Sequence, residues 1–248
     1  MELSKSYDGD YYEQHIDESL RSARIVLSHL WEYLKPASVL DVGCGRGAWL
    51  KACRELGSTV LIGLDGEWNS QSQMIDSVIQ FKSTNLNRPF VVDSRVDLAM
   101  SLEVAEHLEP SSPPQFIECL SQASDAVLFS AAYPGQGGTN HLNEQPHTYW
   151  AGLFRGRGYV PFDLFRPFLW GNEEVRFWYR QNTFLYCKEG CASYHAIRSK
   201  GCYELNNVSF MNCIHPALYE MRRARFRKRV SDAIPSLYRA IQKRFQRL

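Results

Sequence analysis

The chain has 248 residues, of which 44% are hydrophobic, 22% charged and 13% aromatic. That length can bury one large core, or one core with a modest appendage, and the composition excludes a disordered, collagen-like or disulfide-scaffold protein. Lys and Arg number 28 against 27 Asp and Glu, a formal charge of +1, so the whole-chain balance gives no argument for nucleic acid or a membrane. The charge is uneven along the chain. From Met221 to Leu248 ten Lys and Arg stand against one acid, a balance of +9 that leaves −8 for residues 1–220.

The amino-terminal stretch MELSKSYDGDYYEQH lacks the basic-then-apolar pattern of a secretory signal, and no apolar run approaches the ~20 residues that span a bilayer. A cytoplasmic location is expected. The cysteines are odd in number, seven, and three fall inside predicted helix or strand cores, which suits a reduced compartment better than a disulfide framework.

Apolar residues from Ile16 to Leu34 recur at helical spacing, so Tyr11 to Leu34 is predicted as a leading helix ended by Lys35-Pro36. Short β-branched runs then alternate with helical stretches. Strands are predicted at Ser38 to Val42, Thr59 to Leu64, Ser77 to Phe81, Val96 to Ser101 and Asp125 to Ala131, with helices at Ala48 to Leu56 and Pro113 to Gln122. Thr148 to Phe154 reads as helix, Tyr159 to Leu164 as extended chain, and Asn182 to Cys187 as a final strand. Alternation at this spacing implies right-handed crossovers and a parallel sheet covered on both faces. The expected division is a helical cap over 1–36, an α/β domain over 37–188 and a carboxyl-terminal extension over 189–248.

Val42-Gly43-Cys44-Gly45-Arg46-Gly47 places three glycines between a strand and a helix, where a ligand can approach backbone N–H groups. Their spacing, G-x-G-x-G, departs from the dinucleotide fingerprint G-x-G-x-x-G and disfavours a pyrophosphate cradle. The next strand ends at Asp65, an acid able to accept both hydroxyls of a ribose. Together with Val96-Asp-Leu-Ala-Met-Ser-Leu-Glu103, these segments resemble class I S-adenosylmethionine-dependent methyltransferases over about Ser38 to Lys188. The resemblance implies a Rossmann-like, mainly parallel seven-stranded sheet with helices on both faces, its last strand reversed. It also implies that Asp41, Gly43, Cys44, Gly45 and Gly47 lie at the methionine moiety, that Asp65 holds the ribose, and that Asn85 meets the adenine amine. Leu86, Leu102 and Glu103 complete the expected cofactor set.

Glu103, Glu106 and His107 follow the fourth strand at the edge where open α/β sheets bind ligands, and one helical turn can aim all three at one point. Two carboxylates and an imidazole suit a divalent ion. The E-x-x-E-H pattern resembles O-methyltransferases of ubiquinone precursors and of RNA 3′ ends, in which such residues hold an ion, usually Mg2+, against the hydroxyl to be methylated. A metal-free role for His107 as base or pocket wall, and a structural cluster, are the alternatives.

The glycine-rich loop from Ser130 leads into Asn140-His141-Leu142-Asn143-Glu144-Gln145-Pro146, similar to bacterial methyltransferases of glycan and natural-product pathways. His141 is the expected second catalytic imidazole or fourth metal ligand, with Asn140, Glu144 and Tyr149 toward substrate. Asn143 can instead serve as a helix N-cap, with Pro146 inside the helix, and Tyr149 can simply pack. No G-x-S-x-G elbow or G-x-x-x-x-G-K-[ST] loop occurs, which weakens hydrolase and phosphoryl-transfer readings. Cys187, Cys191, Cys202 and Cys213 lack the paired C-x-x-C spacing of a zinc knuckle.

The tail spaces Phe226, Val230, Ile234, Leu237, Ile241, Phe245 and Leu248 at threes and fours among basic residues, with Pro235 expected to divide the helix in two. Such a basic helical extension can dock on the body, an anionic membrane, a partner protein or RNA phosphates. The expected activity is O-methylation of a small-molecule or sugar hydroxyl. An RNA 2′-O-methyltransferase, opposed by the acidic body, and a non-catalytic cofactor-binding scaffold are the competing readings.

Overall fold

A computed structural model describes residues 9–245. Seven strands form one sheet: β1 (Ser38–Val42), β2 (Val60–Asp65), β3 (Gln80–Ser83), β4 (Leu98–Leu102), β5 (Ala126–Ser130), β6 (Tyr159–Phe162) and β7 (Phe184–Lys188). Their spatial order is β3-β2-β1-β4-β5-β7-β6. The pairs from β3 through β5 are parallel, whereas β7 runs antiparallel to both β5 and β6. This is the Rossmann-like sheet with one reversed strand. The order reverses beside β1, and the carboxyl ends of β1 and β4 therefore open a crevice at that switch point.

Alternation along the strands divides the core into two layers. Val39, Leu61, Met100, Leu128 and Leu185 face one layer, which α1 (Gly9–Leu30) and α2 (Ala48–Glu55) cover with Leu27, Leu30 and Leu50. Leu40, Leu64, Ala99, Val127 and Phe184 face the other, covered by α3 (Pro113–Ala123) and α4 (His147–Arg155) through Phe116, Ile117, Trp150 and Phe154. Strands buried on both faces explain why β4 and β5 read as continuous apolar runs rather than alternating ones.

Several boundaries differ from the sequence reading. The third strand lies at Gln80–Ser83 rather than Ser77 to Phe81, because it is an edge strand, paired only with β2 and largely exposed, and so carries no apolar alternation to mark it. Asn182 closes a short helix, α6 (Phe177–Asn182), instead of starting the last strand, and α5 (Arg166–Leu169) precedes it. Beyond Lys188 the chain stays ordered as α7 (Ala192–Ser199) and a 3-10 turn at Val208–Asn212.

The chain divides into two compact units at Ile214. The first carries the sheet and every helix through α7. The second contains α8 (Pro216–Phe245), one continuous helix that includes Pro235. Proline removes a single i→i−4 hydrogen bond and clashes with one carbonyl, which can bend a helix without ending it. The expected break at Pro235 is therefore absent. Phe245 is described only as helical backbone, and the Leu248 expectation lies outside the described residues.

Candidate active site

The glycine loop follows β1 with Gly43, Gly45 and Gly47 all at positive φ, 86°, 53° and 86°. A Cβ on Gly43 would collide with Val104, and one on Gly47 would lie 2.5 Å from Ile79 Cδ1, whereas nothing comes within 4 Å of the corresponding position on Gly45. Gly43 and Gly47 thus let protein pack against the loop, and Gly45 keeps a side open to a ligand. Leu64 O accepts from Gly43 N at 2.7 Å, and Asp65 Oδ2 accepts from Gly45 N at 2.7 Å. The tips of β1 and β2 are thereby tied together. Cys44 is buried, its thiol raised by burial and the nearby acids.

Two hollows meet at Gly43. One, about 600 Å³, is lined by Asp65, Glu67, Asn85, Leu86, Glu103 and His107 among others. The second, about 300 Å³, takes in the loop from Gly43 to Arg46 with Ser19, Trp49, Leu102 and Tyr179. Trp68 borders both. An elongated ligand with an adenosine-like end over Asp65 and a compact polar end over the loop fits these two adjoining spaces. Asp41 sits below, 2% exposed, with no donor on Oδ2. Burial, and then the charge of Asp65, push its carboxyl up to about 8. A cation bound above would favour its ionised form.

Glu103, at the tip of β4, occupies left-handed backbone with φ 56°. Its carboxylate accepts from Gln136 Nε2 at 2.8 Å and from Asn182 Nδ2 at 3.0 Å. Burial raises its pKa while these amides act in the opposite direction. Asn182 also faces His147 Nε2, 3.0 Å away, and His147 Nδ1 donates to Met211 O at 2.6 Å. Burial lowers the His147 pKa to about 4. This buried polar chain, absent from the sequence reading, ties α4 and α6 to the pocket floor. Its only trace in the sequence is polar residues beside strand ends, too common to single out.

Glu106, His107 and His141 form a cluster whose ligand atoms all lie within 4.8 Å of one another. Glu103, expected among them, lies outside this cluster, its carboxylate engaged by Gln136 and Asn182. The two rings meet edge to face with centroids 4.9 Å apart. His107 Nδ1 lies 3.2 Å from Asn140 O, and His141 Nδ1 lies 2.8 Å from Glu144 Oε1. Both Nδ1 atoms thus face acceptors, and a neutral ring that donates through Nδ1 leaves Nε2 as a free base or ligand atom. The His107 ring reaches solvent at its edge, yet the surrounding protein and then His141 lower its pKa. Glu106 is 1% exposed and neither carboxylate oxygen has a partner at full hydrogen-bond geometry; burial, then Glu103, raise its pKa strongly, against a smaller opposing effect of the Glu106 and Ala132 backbone N–H groups.

The loop after β5 straps this cluster in place. Glu144 accepts from Gly135 N at 2.6 Å and Gly137 N at 2.5 Å, so its carboxylate is consumed in bracing the loop and His141. Leu142 N and Asn143 N donate to Glu106 O at 2.8 and 2.9 Å. Asn143 does not cap α4, as sequence spacing allowed: Pro146 occupies the cap, and Asn143 Oδ1 accepts from Gln145. Asn140 acts through its carbonyl at φ 59°, and Tyr149 packs edge-on against Trp150 and lines neither hollow. The four late cysteines do not converge on a metal among the described residues. Cys191 instead caps α7, accepting from Tyr194 N.

A family model described as a methyltransferase domain matches residues 12–166. A curated relative, the mitochondrial ubiquinone biosynthesis O-methyltransferase of Dictyostelium discoideum, is 33% identical over 105 residues. That match takes in 36% of this chain and only 32% of the relative's length. Among solved structures, magnesium protoporphyrin IX methyltransferase from Synechocystis PCC 6803 with bound S-adenosylmethionine superposes with a TM-score of 0.51 at 13% identity, over 74% of this chain and 86% of that one. An O-methyltransferase family protein from Burkholderia thailandensis gives 0.53 at 13% identity, over 75% and 62% of the two chains. At such identities the structural likeness speaks for the fold.

Proposed function

Because the chain belongs to the methyltransferase-domain family, we propose that it uses S-adenosylmethionine to methylate a hydroxyl of a small molecule or sugar. The observation that carries this reading is an imidazole pair at the larger hollow, where His107 lines the wall and His141 stands edge-on against it, each with Nδ1 directed to an acceptor. An alcohol must lose its proton as it attacks, and a free Nε2 accepts it at neutral pH. The sulfonium is already activated. The remaining task is to hold the acceptor oxygen about 3 Å from the methyl and in line with the C–S bond. The oxygen–methyl bond forms, the bond to sulfur breaks toward sulfur, and the proton passes to His107 or His141. The name of the curated relative, an O-methyltransferase, points to the same acceptor atom.

Cofactor contacts follow from the placement of the loop and strand tips. Asp65 would receive the ribose hydroxyls, Asn85 and Leu86 would flank the base, and the open face of Gly45 with Asp41 below would take the methionine end.

One observation favours a metal-assisted version: the buried Glu106 carboxylate has no side-chain donor while two imidazoles stand within 4.8 Å. The residues present fit a divalent ion, and with Glu103 withdrawn the donors are one carboxylate and two imidazoles. That set suits a borderline ion such as zinc or manganese better than the Mg2+ expected from the carboxylate pattern. An ion there would lower the pKa of the acceptor hydroxyl.

A labelled-methyl transfer assay over a panel of catechols, phenols and sugar alcohols tests the proposal. Product from a hydroxyl acceptor is expected, with His107→Gln lowering turnover about 100-fold while S-adenosylmethionine affinity stays within a few-fold. Transfer only to nitrogen or carbon acceptors would refute O-methylation. Activity unchanged by chelation and by Glu106→Gln would remove the metal.

A further inference from the structure

We propose that α8 docks the protein onto a membrane surface rich in acidic phospholipid. Every residue from Arg222 to Pro235 is exposed. Within that stretch Phe226, Val230 and Ile234 are 68%, 42% and 60% exposed, and they recur every four residues. At 3.6 residues per turn, three such positions fall within an arc of about 80°. A shallow apolar groove of about 450 Å³ runs along them, bordered by Arg227, Ser231 and Pro235. A monomeric protein rarely leaves a contiguous apolar stripe of this kind in water.

Charge decides what covers the stripe. Arg227 borders it on one side and Arg222 and Arg229 on the other, Arg223 continues its line one turn before Phe226, and Arg225 and Lys228 lie behind. The acids of the described helix are Glu220, paired with Arg223, and Asp232. The spacing continues in the sequence with Leu237, Ile241 and Phe245 among Arg239, Lys243 and Arg244. An apolar strip edged by arginines matches the layered chemistry of a bilayer surface, where acyl chains lie just beneath phosphates. Nucleic acid would place its phosphates against the centre of the contact face, which here is apolar. A second copy of the helix would bring its own arginine flanks against these, a like-charge repulsion. The helix is not a span: none of the described helices is long and apolar enough to cross a membrane.

The test is sedimentation of the full chain with phosphatidylcholine vesicles, with and without phosphatidylglycerol, alongside light scattering in the absence of lipid. Binding is expected only with phosphatidylglycerol and should collapse in high salt. The double variant Phe226→Ser, Ile234→Ser should weaken it at least about tenfold, and Arg227→Gln, Arg229→Gln should weaken it selectively at low salt. These four side chains are exposed, so the variants leave the methyltransferase core untouched, and unchanged S-adenosylmethionine binding checks this. The proposal is overturned by equal binding to both vesicles, by no binding to either, or by binding indifferent to Phe226→Ser, Ile234→Ser. It is also overturned if that double variant abolishes self-association or capture of an RNA oligonucleotide while vesicles bind neither protein.

Discussion

Asp41 shows how a single buried group can couple charge to ligand. An unfolded Asp titrates near 3.8 and the folded one near 8, so between those values the folded chain holds the extra proton. The contribution to stability is therefore lost as pH rises through that window. Ligand-free protein should melt at a lower temperature as pH approaches 8, and Asp41→Asn should make this slope shallower, leaving the part contributed by the other buried acids such as Glu106, and raise the melting temperature there by about 3 °C or more. Differential scanning fluorimetry across pH decides it; a slope unchanged in Asp41→Asn would mean that Asp41 is already ionised. S-adenosylmethionine is a cation, so its binding should release a proton below pH 8, which calorimetry in buffers of different ionisation enthalpy can read. The residue type and position of Asp41, Asp65, His107 and His141 were visible in the sequence. The direction in which Glu103 turns was not, because that depends on Gln136 and Asn182, which arrive from the loop after β5 and from the end of α6.

The loop from Ala131 to Pro146 is the element that assembles the imidazole pair. Its glycines were legible as turn formers, but their individual purposes emerge only from contacts. A Cβ on Gly138 would collide with His141 Nε2. Gly138→Ala should therefore displace the His141 ring and reduce turnover by more than about tenfold, with S-adenosylmethionine affinity essentially unchanged. Equal activity of the variant would show that His141 Nε2 takes no part. Strands β1, β2, β4 and β5 were readable within a residue or two, since burial on both faces demands unbroken apolar runs. The edge strand β3 and the short helices α5 and α6 were not, because exposure on an edge and aromatic-rich turns leave no period to detect.

For the whole molecule, the near-neutral total of +1 conceals opposite characters in its two units. The larger hollow is lined by the acids Asp65, Glu67 and Glu103, and the helix beyond Ile214 is basic. Buried charges are screened little by salt and exposed ones strongly. Raising ionic strength from about 0.05 to 0.5 M should change the S-adenosylmethionine dissociation constant less than about threefold while any association through α8 falls steeply. Titration calorimetry at the two salt levels measures the first; a large loss of cofactor affinity would place the binding charge on the surface instead of in the cleft.

The order of the buried strands and the longer helices, the glycine turn, the acid at the second strand tip and the basic amphipathic end were determined by the sequence alone. Each is a local matter of backbone freedom, hydrophobic period or charge spacing. Tertiary structure alone decided that Glu103 serves the amide network while Glu106 joins the two histidines, that Glu144 braces a loop, and that His147 and Asn182 lie beneath the pocket. Apart from the Glu144 brace, whose partners lie 3 to 9 positions away, those contacts join residues 33 to 79 positions apart in the chain. Which polar group finds which partner is set by where the sheet and its crossovers bring them, and spacing along the chain carries no record of it.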